Sequence, residues 1–220
     1  MKTVKERKIH SGPLYDKART KARLIATVGK IIQKYGYRGL TLVNIGKESG
    51  LDRKLVYTYF GTVDNLVEEY IKQRDFWKFG GKKAVENMLE TPEDIGKDDI
   101  YNLLIGQFDT LFKDRAYQQI IHWELGEKNK LLRNIADKRE AVGELVFKVI
   151  EDKFSKANID IRARLALQVG GIYYLVLHAR ANGSTVCGID INQEEGEMRI
   201  KNAIKEIVDD AFHKAKYNKK

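Results

Sequence analysis

Residues 50–60, GLDRKLVYTYF, place two basic side chains at the start of a short apolar and aromatic segment. Arg53 and Lys54 can each donate hydrogen bonds to guanine O6 and N7, and arginine can do so through two parallel bonds. Thr58 lies four residues after Lys54, which is one helical turn further along the same side. This chemistry indicates contact with a DNA duplex, provided that a helix holds these side chains away from the core.

The residues around the basic pair predict that helix. Gly50 can form a tight turn, Asp52 is a favourable N-cap, and Gly61 can end the helix. Val56 and Phe60 lie four residues apart and are expected to face the core. One face of the helix would therefore be fixed, and the opposite face would be open to a partner.

A second helix is predicted just before, over LVNIGKES, with Thr41 as its N-cap. Two short helices joined by a glycine turn form a helix-turn-helix, whose second helix enters the major groove of DNA. The Thr41 hydroxyl and nearby N–H groups can bind a phosphate, as can the hydroxyls of Tyr57 and Tyr59. Leu55 can offer a thymine methyl only an apolar contact.

The charge of the chain is concentrated in its first quarter. Residues 1–62 contain 14 Lys or Arg and 4 Asp or Glu, whereas residues 63–220 contain 26 and 27. The whole excess of positive charge therefore surrounds the helix-turn-helix. A local basic field of this kind favours polyanions, either nucleic acid or an anionic membrane surface.

Several other classes of protein are disfavoured. Cys187 is the only cysteine of the 220 residues, so no intrachain disulfide or CxxC-type zinc site can form, and a reducing cytoplasm is expected. The basic N-terminus lacks the apolar region of a signal peptide, and the uncharged stretch 165–179 is too short to span a membrane. Motifs of hydrolases, metalloproteases, P-loop proteins and dinucleotide enzymes are absent, and DINQEEG lacks the glycine of a calcium loop. We expect no enzyme activity, metal or cofactor.

Apolar spacing predicts an all-α protein, because no alternating strand pattern flanked by hairpin turns is found. The expected helices are 17–35, 42–49, one starting after Asp52, one from Thr62 through Trp77, 98–112, 115–125, 128–155, 160–181 and one capped by Asn192.

The segment YGYRGLTLVNIGKESGLDRKLVYTYFGTVDNL, residues 35–66, resembles the DNA-binding domain of the TetR family of bacterial transcriptional regulators. The matching positions are Gly36, Tyr37, Thr41, Ile45, Gly50, Leu51, Asp52, Tyr57, Tyr59, Phe60 and Leu66. The chain departs from the family at Val63, where a lysine usually contacts a phosphate.

This resemblance implies a domain organisation. Residues 1–17 are expected to be a flexible basic arm. Residues 18–78 are expected to form a three-helix DNA-binding domain with its helix-turn-helix at 41–60. Residues 79–220 are expected to form a helical domain for ligand binding and dimerisation.

The resemblance also implies a function: a homodimeric repressor that binds a palindromic operator and is released by a small-molecule effector. An activator or a ligand-independent regulator remains the alternative, as does a basic protein that binds DNA or membranes without sequence preference. The candidate DNA-binding residues are Thr41, Arg53, Lys54, Leu55, Tyr57, Thr58 and Tyr59. The candidate ligand-binding residues are Phe108, Tyr117, His122, Trp123, Tyr173, Tyr174 and His178.

The segment 160–181 supports a dimer independently, because it carries two apolar stripes. One stripe contains Ile161, Leu165, Val169, Ile172 and Val176, and the other contains Leu167, Tyr174 and His178. One stripe can face the core while the other faces a second copy of the chain.

Overall fold

The computed structural model describes residues 13–78 and 80–217. These residues form helices throughout, with no β-strand beyond an isolated bridge between Val186 and Ile189, which confirms the all-α prediction. The α-helices are α1 Pro13–Tyr35, α2 Leu42–Ser49, α3 Lys54–Phe60, α4 Val63–Lys72, α5 Gly80–Met88, α6 Lys97–Lys113, α7 Arg115–Gly126, α8 Lys130–Ser155, α9 Ile161–Asn182 and α10 Glu194–Tyr217. No helix in this part of the chain is both long and apolar enough to cross a membrane.

The chain divides into two compact units, the first ending at Tyr70 and the second beginning at Ile71. The sequence prediction places this boundary after residue 78, at the end of a helix expected to continue through Trp77. That expected helix is too long, because α4 ends at Lys72. Asp75 instead accepts the backbone N–H of Trp77 at 3.0 Å, and residues 76–78 form a 3-10 turn. A side-chain acceptor that captures a backbone donor in this way competes with helix formation.

The predicted basic arm, residues 1–17, lies mostly outside the described residues. Its last part is not an arm, since residues 13–17 belong to α1.

The first unit has a core drawn from all four of its helices. The fully buried apolar side chains are Leu24, Val28 and Ile31 of α1, Ile45 of α2, Val56 of α3 and Leu66 of α4. Each such side chain contributes about 1.5–3 kcal/mol through removal from water. Because α3 is only seven residues long, its position depends on this core rather than on its own helical stability.

The second unit is built around α6, which buries Leu103, Leu104, Phe108 and Leu111. The α8 and α10 helices meet through Phe154 and Phe212, whose rings pack edge to face with centroids 4.9 Å apart. A buried hydrogen bond of 3.0 Å from Gln168 Nε2 to the Ile204 carbonyl joins α9 to α10. The helix α5 was not predicted from the sequence.

The start of α10 also differs from the prediction. Asn192 is not its cap, because the helix begins at Glu194. The Asn192 amide instead donates to the Ala179 carbonyl at 3.3 Å and accepts from Arg180 at 3.1 Å. Its side chain therefore closes the connection from α9, and the predicted capping box does not form.

Candidate nucleic-acid interface and candidate ligand cavity

The turn between α2 and α3 is fixed at both ends. Thr41 Oγ1 accepts the N–H of Asn44 at 3.2 Å, which confirms the predicted N-cap of α2. Gly50 ends the helix with a φ of +64°, a conformation that glycine adopts without strain. A Cβ at this position would also lie 3.0 Å from Arg23 Nη2 of α1. Asp52 Oδ1 then accepts the N–H of Lys54 at 2.8 Å, but α3 begins at Lys54, so its N-cap position is held by Arg53 and not by the predicted Asp52.

Polar contacts also hold α2 against α1. Glu48 accepts hydrogen bonds from Lys34 Nζ at 3.0 Å and from the Tyr35 hydroxyl at 3.2 Å. The hydrogen bond from Lys34 is the main reason that the pKa of Glu48 lies below its ordinary value. Since exposed ion pairs add little stability, this contact serves chiefly to orient the two helices.

The α3 helix presents its side chains in rows. Val56 is fully buried, and Phe60, one turn later, is half-buried. Arg53 and Lys54 are exposed, and so are Tyr57 and Thr58, which lie four residues after them. The basic pair and the two hydroxyl-bearing side chains therefore form one continuous exposed surface, which we call the α3 face.

The structure places the predicted DNA-binding residues as follows. Thr41 is exposed at the start of α2, whereas Leu55 and Tyr59 are half-buried at the edge of the α3 face. Among the described residues no ion pair engages Arg53 or Lys54. The Thr58 hydroxyl donates to the Lys54 carbonyl at 3.2 Å and can still accept a hydrogen bond from solvent or a partner.

The start of α4 lies next in the chain. Thr62 Oγ1 accepts the N–H of Asn65 at 3.0 Å, as predicted for the cap of this helix. Val63, at the position where a lysine is usual in the resembled family, is half-buried and offers no polar group. The Asn65 side chain donates to the Phe60 carbonyl at 2.7 Å and thereby fastens the end of α3 to α4.

The second unit contains a cavity of about 490 Å³ between α6, α8 and α9. This volume lies in the range of small-molecule sites. Its apolar wall includes Ile100, Leu103, Leu104, Val146, Leu165 and Val169. Its polar lining includes Gln107, Glu124, Arg139, Arg162 and Tyr173.

Of the predicted ligand-binding residues, only Tyr173 lines this cavity. Phe108 and Tyr117 are fully buried in the core, and Trp123 is buried with its indole N–H 3.3 Å from Glu127. His122 is exposed.

The other two predicted residues belong to the outer side of α9. Tyr174 is 59% exposed, and the half-buried His178 stacks on its ring with centroids 5.5 Å apart. Tyr173 and Tyr174 are neighbours in sequence, yet a helix turns by about 100° between successive residues. Only one of the two can therefore face the cavity.

Sequence analysis missed the charged centre of this unit. Arg139, with a side chain only 8% exposed, lies within the apolar stripe of α8 between Ile135 and Val146. Its Nε donates to Asp75 Oδ2 at 2.7 Å and its Nη1 to Glu124 Oε2 at 2.5 Å. The signal in the sequence was Arg139 itself, a charged residue at a position of α8 where helical spacing otherwise places only apolar side chains.

Burial raises the pKa of Glu124, even though the Arg139 charge acts in the opposite direction. Burial likewise raises the pKa of Tyr117 and of Tyr173, so both phenols stay protonated at neutral pH. For Arg139 the neighbouring phenols and carboxylates outweigh burial and raise the pKa of the guanidinium. Within the described residues, Arg139 Nη2, the Tyr117 hydroxyl and the amide of the fully buried Gln107 make no well-formed hydrogen bond, although the last two interact with the Tyr173 hydroxyl.

No protein-family profile and no curated protein matches the sequence. Solved structures of similar fold do match. FadR from Bacillus subtilis, in complex with stearoyl-CoA, is 18% identical with a TM-score of 0.59, over 85% of this chain and 96% of that chain. FadR from Bacillus halodurans is 16% identical with a TM-score of 0.58, over 92% and 96% of the two chains. A TetR-family transcription regulator from Marinobacter aquaeolei is 9% identical with a TM-score of 0.57, over 88% and 97%.

Proposed function

We propose that this chain, which has the fold of the TetR-family regulators, is a sequence-specific DNA-binding transcriptional regulator. It acts in the cytoplasm as a homodimeric repressor, and a small molecule releases it from a palindromic operator. Residues 18–78 bind the DNA, and residues 79–220 bind the effector and the second protomer. The observation that carries this proposal is the α3 face, with its exposed basic pair on a helix anchored from behind by Val56.

The roles of the residues follow from their exposure and chemistry. Arg53 and Lys54 stand at the start of α3, where side chains of a recognition helix meet base edges. Tyr57, Thr58 and Thr41 carry exposed hydroxyl groups that suit phosphate oxygens. Leu55 and Tyr59 are half-buried at the edge of the same face, so they can contact only those DNA groups that lie close against α3.

The homodimer is supported by apolar side chains that the single chain leaves exposed. Leu167 is 79% exposed on α9, and Ile207 is 42% exposed on α10. A dimer that buries them would also present two copies of α3, which suits two half-sites about one helical turn of DNA apart. Leu167→Asp is expected to give monomers in light scattering and to weaken operator binding. Leu125→Asp, which changes an equally apolar exposed residue on α7, is expected to change neither.

The effector is supported by the cavity in the second unit and by the stearoyl-CoA bound in the Bacillus subtilis regulator of similar fold. A ligand that binds one conformation of the dimer better than another shifts the population toward it. A coupling free energy of about 1–3 kcal/mol would weaken operator binding by about 5–150-fold.

Selection of bound duplexes from a random pool tests the proposal. The expected result is one palindromic sequence. Against that sequence, Arg53→Ala is expected to lose about 1–3 kcal/mol of binding free energy and to relax the preference at one base position of each half-site. Arg19→Ala removes the same charge from the exposed surface of α1 and is expected to leave the base preference intact. A pool with no enriched sequence, or an equal loss by Arg53→Ala on every sequence, would contradict specific readout.

A further inference from the structure

The cavity of the second unit has two chemically different ends. Arg139 of α8 lies near Tyr173 of α9, whereas Arg162 of α9 lies over the ring of Phe147 of α8, 4.4 Å from its centroid. The two helices therefore run antiparallel along the cavity. At 1.5 Å per residue, the eight residues from Arg139 to Phe147 separate these ends by about 12 Å. The cavity is thus elongated, with apolar walls between its ends.

The end near Arg139 contains buried hydrogen-bonding groups that the described residues satisfy only in part. Gln107 is fully buried and lines the cavity, and neither its Nε2 nor its Oε1 makes a well-formed hydrogen bond within the described residues. Its amide interacts with the Tyr173 hydroxyl and acts to lower the pKa of that phenol, which leaves the Oε1 acceptor open to a ligand. Arg139 also lines the cavity and leaves its buried Nη2 unpaired. Because unpaired buried polar groups are costly, they indicate that a polar ligand group belongs here.

The charges at this end disfavour an anionic ligand group. The single positive charge of Arg139 is already shared between Asp75 at 2.7 Å and Glu124 at 2.5 Å. Glu124 itself lines the cavity, so a second carboxylate would meet a like charge in a buried site. The free Nη2 of Arg139 is a donor and equally disfavours an ammonium group. The site therefore suits an uncharged group that accepts from Arg139 and exchanges hydrogen bonds with Gln107.

We infer that the cavity binds an elongated apolar molecule whose buried end carries an uncharged hydroxyl or carboxamide group, held by Gln107 and Arg139. This inference rests on the proposed effector function and adds its ligand class. The exposed end of the cavity supports the same orientation. There Arg162 is neutralised by Glu144 at 2.7 Å and Glu151 at 2.7 Å. This end offers no unpaired cation to an anionic head group.

Isothermal titration of the full chain with a matched octyl series tests the ligand class. We expect 1-octanol and octanamide to bind, and octanoate and octylamine to bind at least tenfold more weakly. Gln107→Leu is expected to weaken the binding of 1-octanol by about two- to tenfold, which is the effect of one lost hydrogen bond. The affinity for octanoate should change less. Tightest binding by octanoate or octylamine, or no binding by any member of the series, would overturn the inference.

Two glycine variants show whether the series enters this cavity. Gly143 lines the cavity, and a Cβ on it would meet no atom within 4 Å. The Cβ of a larger residue therefore has room, so Gly143→Leu places apolar bulk in the cavity, and we expect it to abolish binding of 1-octanol. Gly126→Leu is the matched control, because Gly126 has the same free space at the end of α7 but does not line the cavity. Binding to Gly143→Leu at the level of the control would refute the assigned site.

The ligand class and the proposed function can fail separately. The titrations use the protein without DNA, so they report on the cavity alone. Operator binding measured with and without 1-octanol then reports on release. If 1-octanol binds as expected and operator affinity does not change, release by this ligand is wrong and the assigned site stands.

Discussion

The buried charge centre of the second unit makes the sharpest stability prediction. Arg139→Met removes the cation and leaves Asp75 and Glu124 facing each other, with side chains only 5% and 18% exposed. Removing one partner of a buried ion pair costs about 3–5 kcal/mol, because the remaining charge is uncompensated. Domains of ordinary stability unfold at about 5–15 kcal/mol, so this loss is a large fraction of the total. For a unit of this size the melting temperature should fall by about 6–20 °C.

Urea unfolding followed by tryptophan fluorescence measures this change. The chain has two tryptophans, Trp77 and Trp123, and both belong to the second unit. The fluorescence transition therefore reports on that unit without a contribution from the first.

A surface cluster supplies the control. Arg162 contacts two carboxylates, those of Glu144 and Glu151, at distances like those around Arg139, but its side chain is 39% exposed. Solvent screens its partners when the arginine is lost, so Arg162→Met is expected to shift the urea midpoint far less than Arg139→Met.

A compensated variant separates uncompensated charge from lost packing. Asp75→Asn and Glu124→Gln, added to Arg139→Met, neutralise the whole centre, and the carboxamide at position 75 keeps an oxygen that can accept the Trp77 N–H. We expect this triple variant to recover most of the loss. A loss below about 1 kcal/mol in Arg139→Met, or a triple variant no more stable than the single one, would refute the reasoning.

Three further predictions concern pH, backbone conformation and DNA affinity. Burial raises the pKa of Glu124 above its ordinary value of 4.5, so the folded unit holds the Glu124 proton more tightly than the unfolded chain does. The free energy of unfolding should therefore fall as the pH rises from 4.5 through the raised pKa. Urea midpoints measured over a pH series should show this slope, and Glu124→Gln should remove it. Gly50→Ala should destabilise the α2 turn by about 1–2 kcal/mol because of its positive φ, as measured by hydrogen exchange in α2. Gly46→Ala, where a Cβ would make ordinary contacts from 3.6 Å, should show no such loss. Val63→Lys should strengthen binding to every DNA sequence and steepen the logarithmic salt dependence by about 0.9, and an unchanged salt slope would contradict a phosphate contact there.

The helix-turn-helix is predictable from the sequence because its boundaries are set by contacts between near neighbours. Thr41 accepts the N–H of Asn44, Asp52 that of Lys54 and Thr62 that of Asn65, each within three residues. The conformation of Gly50 is equally local. Apolar spacing then decides that Val56 is buried, which leaves Arg53 and Lys54 exposed.

Local patterns fail where a polar side chain finds a partner that helical spacing does not reveal. Apolar spacing continues from α4 to Trp77, but Asp75 captures a backbone donor and the helix ends earlier. Asn192 precedes a run of acidic residues as a cap would, but it bonds to the Ala179 carbonyl, 13 residues away.

The sequence by itself therefore determined the helical class, the concentration of positive charge and the exposed basic pair of α3. Only the tertiary structure decided which residues surround the cavity. Tyr173 lines it and Tyr174 does not, because this choice depends on how α9 is rotated against α6 and α8. The pairing of Arg139 with Asp75 spans 64 positions, and no short window contains both residues. Such contacts arise from packing between distant helices, whereas helix caps and turns are encoded within a few residues.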